Sequence, residues 1–169
     1  MVNNPGAAAG QYAGLPGAIP QRLNKASATV ITKGILARLD RTTDPYSWIP
    51  TVADADEQGP FCVPVESKGA GTLEFSTRWN EVFYLTADGV IQPGQGVQAS
   101  TATVGQVVAM VETTIDATPG QAELVAAQDD RLRLVGVCLG KADNWNTGAP
   151  TKCADGDLVA VYIPLGVSG

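Results

Sequence analysis

Turn-forming clusters interrupt this chain about every 8 to 15 residues, and the runs between them are rich in β-branched and apolar side chains. That rhythm most constrains the fold. A helix long enough to bury a face needs ten or more residues without interruption. A strand needs only four to eight. The clusters include Asp44-Pro45, Ile49-Pro50, Ala87-Asp88-Gly89, Gln92-Pro93-Gly94, Thr118-Pro119-Gly120 and Asp155-Gly156-Asp157. Between them lie strand-like runs at 29–40, 61–67, 73–77, 81–86, 97–99 and 104–112. Pro64 places the second of these at an edge or a bulge. Residues 122–128 fit a short helix or a strand equally well. The spacing predicts an all-β domain, a small barrel or a sandwich.

The strongest pair of strands is in the last third. Residues 131–140 read Arg-Leu-Arg-Leu-Val-Gly-Val-Cys-Leu-Gly, with Gly136 where a side chain is expected. A polar loop, 141–155, leads to Gly156-Asp157 and then Leu-Val-Ala-Val-Tyr-Ile-Pro, in which Tyr162 takes the opposite face from Val161 and Ile163.

Residues 1–26 differ in kind from the β domain expected over 27–169. Their prolines and glycines oppose a helix or a central strand. The composition is not that of a charged, solvated tail either. Tyr12, Leu15, Ile19 and Leu23 are spaced as anchors for an extended arm laid on a partner. Residues 1–20 lack a basic stretch followed by a continuous apolar one, so they do not read as a secretory signal. No run reaches the roughly 18 apolar residues of a membrane-spanning helix.

Composition removes several classes of chemistry. The chain has 169 residues and no histidine, so it contains no Ser-His-Asp or Cys-His site and lacks the commonest metal ligand. A net charge of −6 with 11 scattered basic residues opposes nucleic-acid binding, which needs clustered cations. The three cysteines, Cys62, Cys138 and Cys153, have no C-x-x-C spacing. They are expected as free thiols of a chain made in a reducing cytoplasm, with a Cys138–Cys153 bridge as the sharper alternative.

Weak motifs are weighed in the same way. Asp54-Ala-Asp56-Glu57-Gln58-Gly59 begins like a calcium loop, but the twelfth position falls on Val65 and flanking helices are missing. It reads as an acidic surface loop. Gly94-Gln-Gly96-Val-Gln-Ala99 matches a dinucleotide fingerprint in letters only, because a β-like run follows it rather than a helix. Glu66, Glu74 and Glu81 supply carboxylates for a glycosidase-type acid pair, but alternating strands also supply them by default. No enzyme, metal or cofactor is expected. Trp48, Trp79 and Trp145 lie in or beside loops. Exposed, they would stack on sugar rings or anchor an interface, while the structural alternative is a cap on the end of a β core.

Residues 134–140 with 153–163, and Tyr84-Leu-Thr-Ala-Asp-Gly-Val-Ile-Gln-Pro-Gly94 with Val107-Val-Ala-Met110, resemble the capsid cement or decoration proteins of tailed bacteriophages. The loop at 141–152 is longer than the turn of that pattern. The resemblance implies a non-catalytic β domain, often a homotrimer. It would bind the major capsid protein on the outside of an icosahedral head, after synthesis in the host cytoplasm. The expected contact residues are Tyr12, Leu15, Ile19 and Leu23 in the arm, with Trp48 and Trp145 as further interface candidates. The alternative is a carbohydrate-binding or adhesin-like β module using its exposed tryptophans.

Overall fold

The computed structural model describes residues 19–24, 30–40, 47–52, 57–71 and 74–164. The chain is an all-β protein of antiparallel sheets with one helix among the described residues. In chain order the elements are β1 (Ile19–Asn24), β2 (Ala37–Leu39), β3 (Trp48–Pro50), β4 (Phe61–Cys62), β5 (Glu74–Trp79), β6 (Glu81–Thr86), β7 (Gly96–Ala99), β8 (Val107–Ala109), α1 (Gln121–Arg133), β9 (Leu134–Lys141) and β10 (Leu158–Ile163).

The main sheet has five strands in the order β6-β10-β9-β7-β8. Its middle strand, β9, carries a register shift on each side. Against β10 the pairing jumps from Ala160↔Gly140 to Val161↔Cys138, and against β7 from Val97↔Gly136 to Gln98↔Leu134. Each bulge bends the strand and raises its twist. The sheet curls until a single parallel bridge, Ala87↔Val107, joins the end of β6 to β8, with Asp88 N–H donating to the Val107 carbonyl at 2.7 Å. It stops short of a closed barrel.

The concave side holds the main core. Phe83, Leu85, Val97, Val107, Val135, Cys138, Val159, Val161 and Ile163 are buried together there, with Leu36, Phe61 and Val63 contributed from the region of the second sheet. That sheet has the order β3-β2-β4 and its own small cluster of Ile31, Ala37, Trp48 and Cys62. Arg38 of β2 and Glu57 form a largely buried ion pair, and Glu57 also accepts the Val52 N–H at 2.8 Å. Glu57, the fourth residue of the candidate calcium loop and expected on an acidic surface, is therefore an internal brace. Asp54 and Asp56 lie outside the described residues.

The third sheet is a ribbon of β1 and β5, registered from Ile19↔Trp79 to Asn24↔Glu74. Residues 19–24 of the expected arm are thus strand-paired within their own chain. Tyr12 and Leu15 lie outside the described residues. A bridge from Pro64 to Thr77, and a Thr77 hydroxyl donating to the Val63 carbonyl at 2.9 Å, tie this ribbon to the core.

Geometry fixes Gly136 and Gly94 as glycines. A Cβ on Gly136 would sit 2.2 Å from the Tyr162 carbonyl oxygen, so β9 and β10 approach closely only because that side chain is missing. Gly94 has φ 86° at the third position of the Gln92–Gln95 turn, where a type II turn requires positive φ. The Gly94–Ala99 motif is therefore a turn leading into β7, not a phosphate loop.

The ambiguous stretch resolves as α1. Its sequence, Gln-Ala-Glu-Leu-Val-Ala-Ala-Gln, contains strong helix formers and neither Gly nor Pro. Glu123 accepts the Gly120 N–H at 3.1 Å, and Arg131 and Arg133 sit in the last turn, where the helix dipole favours cations. The strand expected from residue 131 therefore begins at Leu134. Only Asp130 of the helix is buried, and its carboxylate accepts the Thr113 N–H at 2.6 Å.

Candidate interaction surface

Strand β6 is buried along Glu81, Val82, Phe83, Tyr84 and Leu85 without alternation. A strand facing water on one side would alternate. Cross-strand partners explain the difference. Phe83 lies opposite Val161 and Leu85 opposite Val159 on the core side. Val82 lies opposite Tyr162 and Tyr84 opposite Ala160 on the other. The convex side of the main sheet therefore carries a second apolar layer. Val82, Tyr84, Ala142 and Ala160 are buried in it, and Leu139, Trp145, Leu158 and Tyr162 are only partly covered.

The loop after β9 forms the cover, and its own residues hold its shape. The N–H groups of Asn144 and Trp145 both donate to the Lys141 carbonyl at 3.0 Å, making a helical turn. Asn144 then braces the return of the chain. Its side-chain amide donates to the Thr151 hydroxyl at 2.7 Å, and its side-chain oxygen accepts the Thr151 N–H at 3.2 Å. Short polar side chains of this kind make local bonds to backbone, which suits them to loops. The turn sets Trp145 on the sheet, where its indole N–H donates to the Tyr84 hydroxyl at 3.3 Å.

A charged latch closes the foot of the loop. Lys141 pairs with Asp157 at 2.9 Å, and the Asp157 carboxylate accepts the Ala154 N–H at 2.8 Å. The Ala154 hydrogen bond, then Lys141, holds the Asp157 carboxyl below its ordinary range. Asp157 in turn holds the Lys141 ammonium above its own.

The other sequence candidates fall elsewhere. Trp48 is 6% exposed in the core of the second sheet, so the interface expectation is corrected for it: packing against Ile31, Ala37 and Cys62 consumes its surface. Trp79 is in β5, and Ile19 and Leu23 are in β1. Glu66 pairs with Lys68 at 3.2 Å, and Glu81 is buried at the start of β6. Glu74 opens β5, so the length of that strand, about 17 Å, lies between it and the turn before Glu81. Among the described residues no group of three or more Cys, Asp or Glu is placed to hold a metal ion, and no helix is long and apolar enough to cross a membrane.

The sequence reading singled out Trp145 and missed its partners Tyr84, Leu139 and Leu158. The run Glu-Val-Phe-Tyr-Leu at 81–85 did carry a signal, because it is apolar at both parities. A second exposed apolar region lies along the connector to α1 and on the helix. Val111 is 79% exposed there, and Ile115, Leu124 and Val125 are about half exposed.

No family model matches the chain, and no curated protein or solved structure matches it. What the residues define is an all-β protein whose main sheet is apolar on both sides, with its second side incompletely covered by its own loop.

Proposed function

We propose that the protein is a structural binding protein that attaches to the outer surface of an icosahedral phage head and stabilises the mature lattice. The observation that carries this reading is the incompletely covered apolar layer of Leu139, Trp145, Leu158 and Tyr162. Aromatic side chains set in a rigid surround are typical anchors of protein interfaces. A protein that binds only the mature lattice stabilises it by its differential affinity, and many copies repeat the gain around the shell. The resemblance in β9, β10 and the 84–94 region points to the same class.

In this reading the major capsid protein meets the Trp145 surface. Self-association as a trimer uses the α1 side, where Val111, Ile115, Leu124 and Val125 have little cover within the chain. A lone 13-residue helix is marginal in water, so a neighbouring copy would supply the packing that α1 lacks. The test is co-sedimentation with mature heads stripped of surface proteins. Saturable binding that weakens at least tenfold in Trp145→Ala supports the proposal. Absence of binding to mature heads overturns it. Light scattering of the free protein, with Leu124→Glu expected to yield monomer, tests the oligomer separately.

A carbohydrate-binding module is the second reading, favoured by one observation: Trp145 and Tyr162 belong to the same partly covered cluster. Glycan-array hits lost in Trp145→Ala would move the conclusion there.

A further inference from the structure

We propose that Cys138 and Cys153 form a reversible intramolecular disulfide that fastens the Trp145 loop to the main sheet when the protein meets an oxidising small-molecule disulfide. The inference rests on the placement of the two thiols and does not depend on the capsid reading.

Both cysteines are reduced, buried and part of the main core. They are held on the same short segment from two directions. Cys138 donates its N–H to the Gln95 carbonyl at 2.9 Å and accepts the Gly94 N–H at 2.7 Å. Cys153 forms a two-way bridge with Ile91, at 2.9 and 3.2 Å. The strip 91–95 therefore fixes β9 and the end of the loop beside each other, and both cysteine side chains enter the same core cluster. Cys62 is the internal contrast. It lies in the other cluster, away from the other two cysteines, and burial pushes its thiol well above the ordinary range.

The pair is chemically asymmetric. The Cys153 thiol, then the Gly140 N–H, stabilises a thiolate at Cys138 and lowers its pKa. The neighbouring Cys138, then burial, raises the pKa of Cys153. Access differs too, because Thr151, Lys152, Ala154 and Asp155 around Cys153 are exposed. Local opening of the loop end brings Cys153 to the external disulfide. Its sulfur attacks, one S–S bond breaks, and one small thiol leaves with the Cys153 proton. On reclosure the Cys138 thiol gives up its proton, its sulfur attacks the Cys153 sulfur of the mixed disulfide, the second S–S bond breaks, and the departing small thiolate takes up that proton. Two protein thiols are oxidised and one small disulfide is reduced to two thiols. The closed loop contains Trp145, so oxidation locks the cover of the convex side in place.

The experiment treats the full-length reduced protein with oxidised glutathione under native conditions, traps remaining thiols by alkylation and maps peptides by mass spectrometry. The expected product links Cys138 to Cys153, leaves Cys62 as a thiol and raises the thermal midpoint by roughly 6–12 °C, as a loop of this length implies. Cys62→Ser should behave as the wild type, and Cys153→Ser should lose the rise. Three results would each overturn the proposal: both thiols staying reduced in the folded protein, a glutathione adduct persisting without an internal link, or a link that involves Cys62. The wild-type peptide map decides the question even if a serine variant fails to fold.

Discussion

The two sides of the main sheet are built from alternate residues of the same strands, yet they are finished differently. The concave side is mainly aliphatic, with Phe61 and Phe83 as its aromatics, and its residues are buried. The convex side is more aromatic, with Tyr84, Trp145 and Tyr162, and is covered by one loop that leaves four of its members partly exposed. The first arrangement maximises apolar area removed from water. The second combines a buried base with amphipathic rings at the rim, the composition that protein interfaces favour. One side holds the fold together, and the other is the surface proposed for contact.

Mutations can separate these roles. The largest effect is expected from Gly136→Ala, because both sides depend on β9. The added Cβ meets the Tyr162 carbonyl at 2.2 Å, and the two strands must part. A loss of about 4 kcal/mol or more is expected, seen as failure to fold or a collapsed denaturation midpoint. Next is Phe83→Ala on the concave side, expected to cost about 3–5 kcal/mol in urea titration. Trp145→Ala on the convex side is expected to cost only about 1–2 kcal/mol. Tyr84→Phe, which removes the hydroxyl that accepts the Trp145 indole N–H, should cost about 0.5–1.5 kcal/mol. If Trp145→Ala destabilised as much as Phe83→Ala, the distinction between the two sides would fail.

The smallest effect concerns the latch. A carboxyl held below its ordinary range contributes stability above that range, near pH 3.9, and loses it as pH falls through the lowered value. An ammonium held above its ordinary range contributes below about pH 10.4 and loses its part as pH rises through the raised value. Both groups are partly exposed, so salt screens the pair and the effect is small. The Trp145 contribution to fluorescence, taken against Trp145→Phe, should stay constant between those limits and change on the acid side. Asp157→Asn should remove that acid limb.

Much of the fold was legible because turn chemistry is local. Gln92-Pro93-Gly94 and Asp155-Gly156-Asp157 are turns for the reasons visible in their residues, and β6, β9 and β10 follow as apolar runs between such turns. Gly136 was already conspicuous as a gap in an apolar strand, and its contact with Tyr162 supplies the reason. Simple alternation failed along β9, since Val135 and Cys138 are three residues apart and both face the core. The two bulges change the parity, and nothing local announces them. The helix was ambiguous because α1 buries almost nothing and so shows no apolar stripe. Trp48 read as a loop tryptophan because β3 is only three residues long. The Trp145 surface was half legible: the aromatic was visible, but its partner Tyr84 lies 61 residues away.

The ribbon of β1 and β5 also redraws the obvious truncation. Removing residues 1–25 would delete β1 and strip β5 of its partner, whereas removing 1–18 leaves the ribbon complete. The shorter deletion is therefore the one that isolates an arm contribution. It should leave the thermal midpoint near that of the full chain and weaken attachment to heads.

The role proposed for the convex side is binding to a large protein lattice. The most direct measurement is sedimentation of the full chain with mature phage heads on a sucrose gradient, beside Trp145→Ala confirmed as folded by its circular dichroism. The wild type is expected to move with the heads and the variant to stay near the top. Both proteins staying at the top, or both moving with the heads to the same extent, would contradict it.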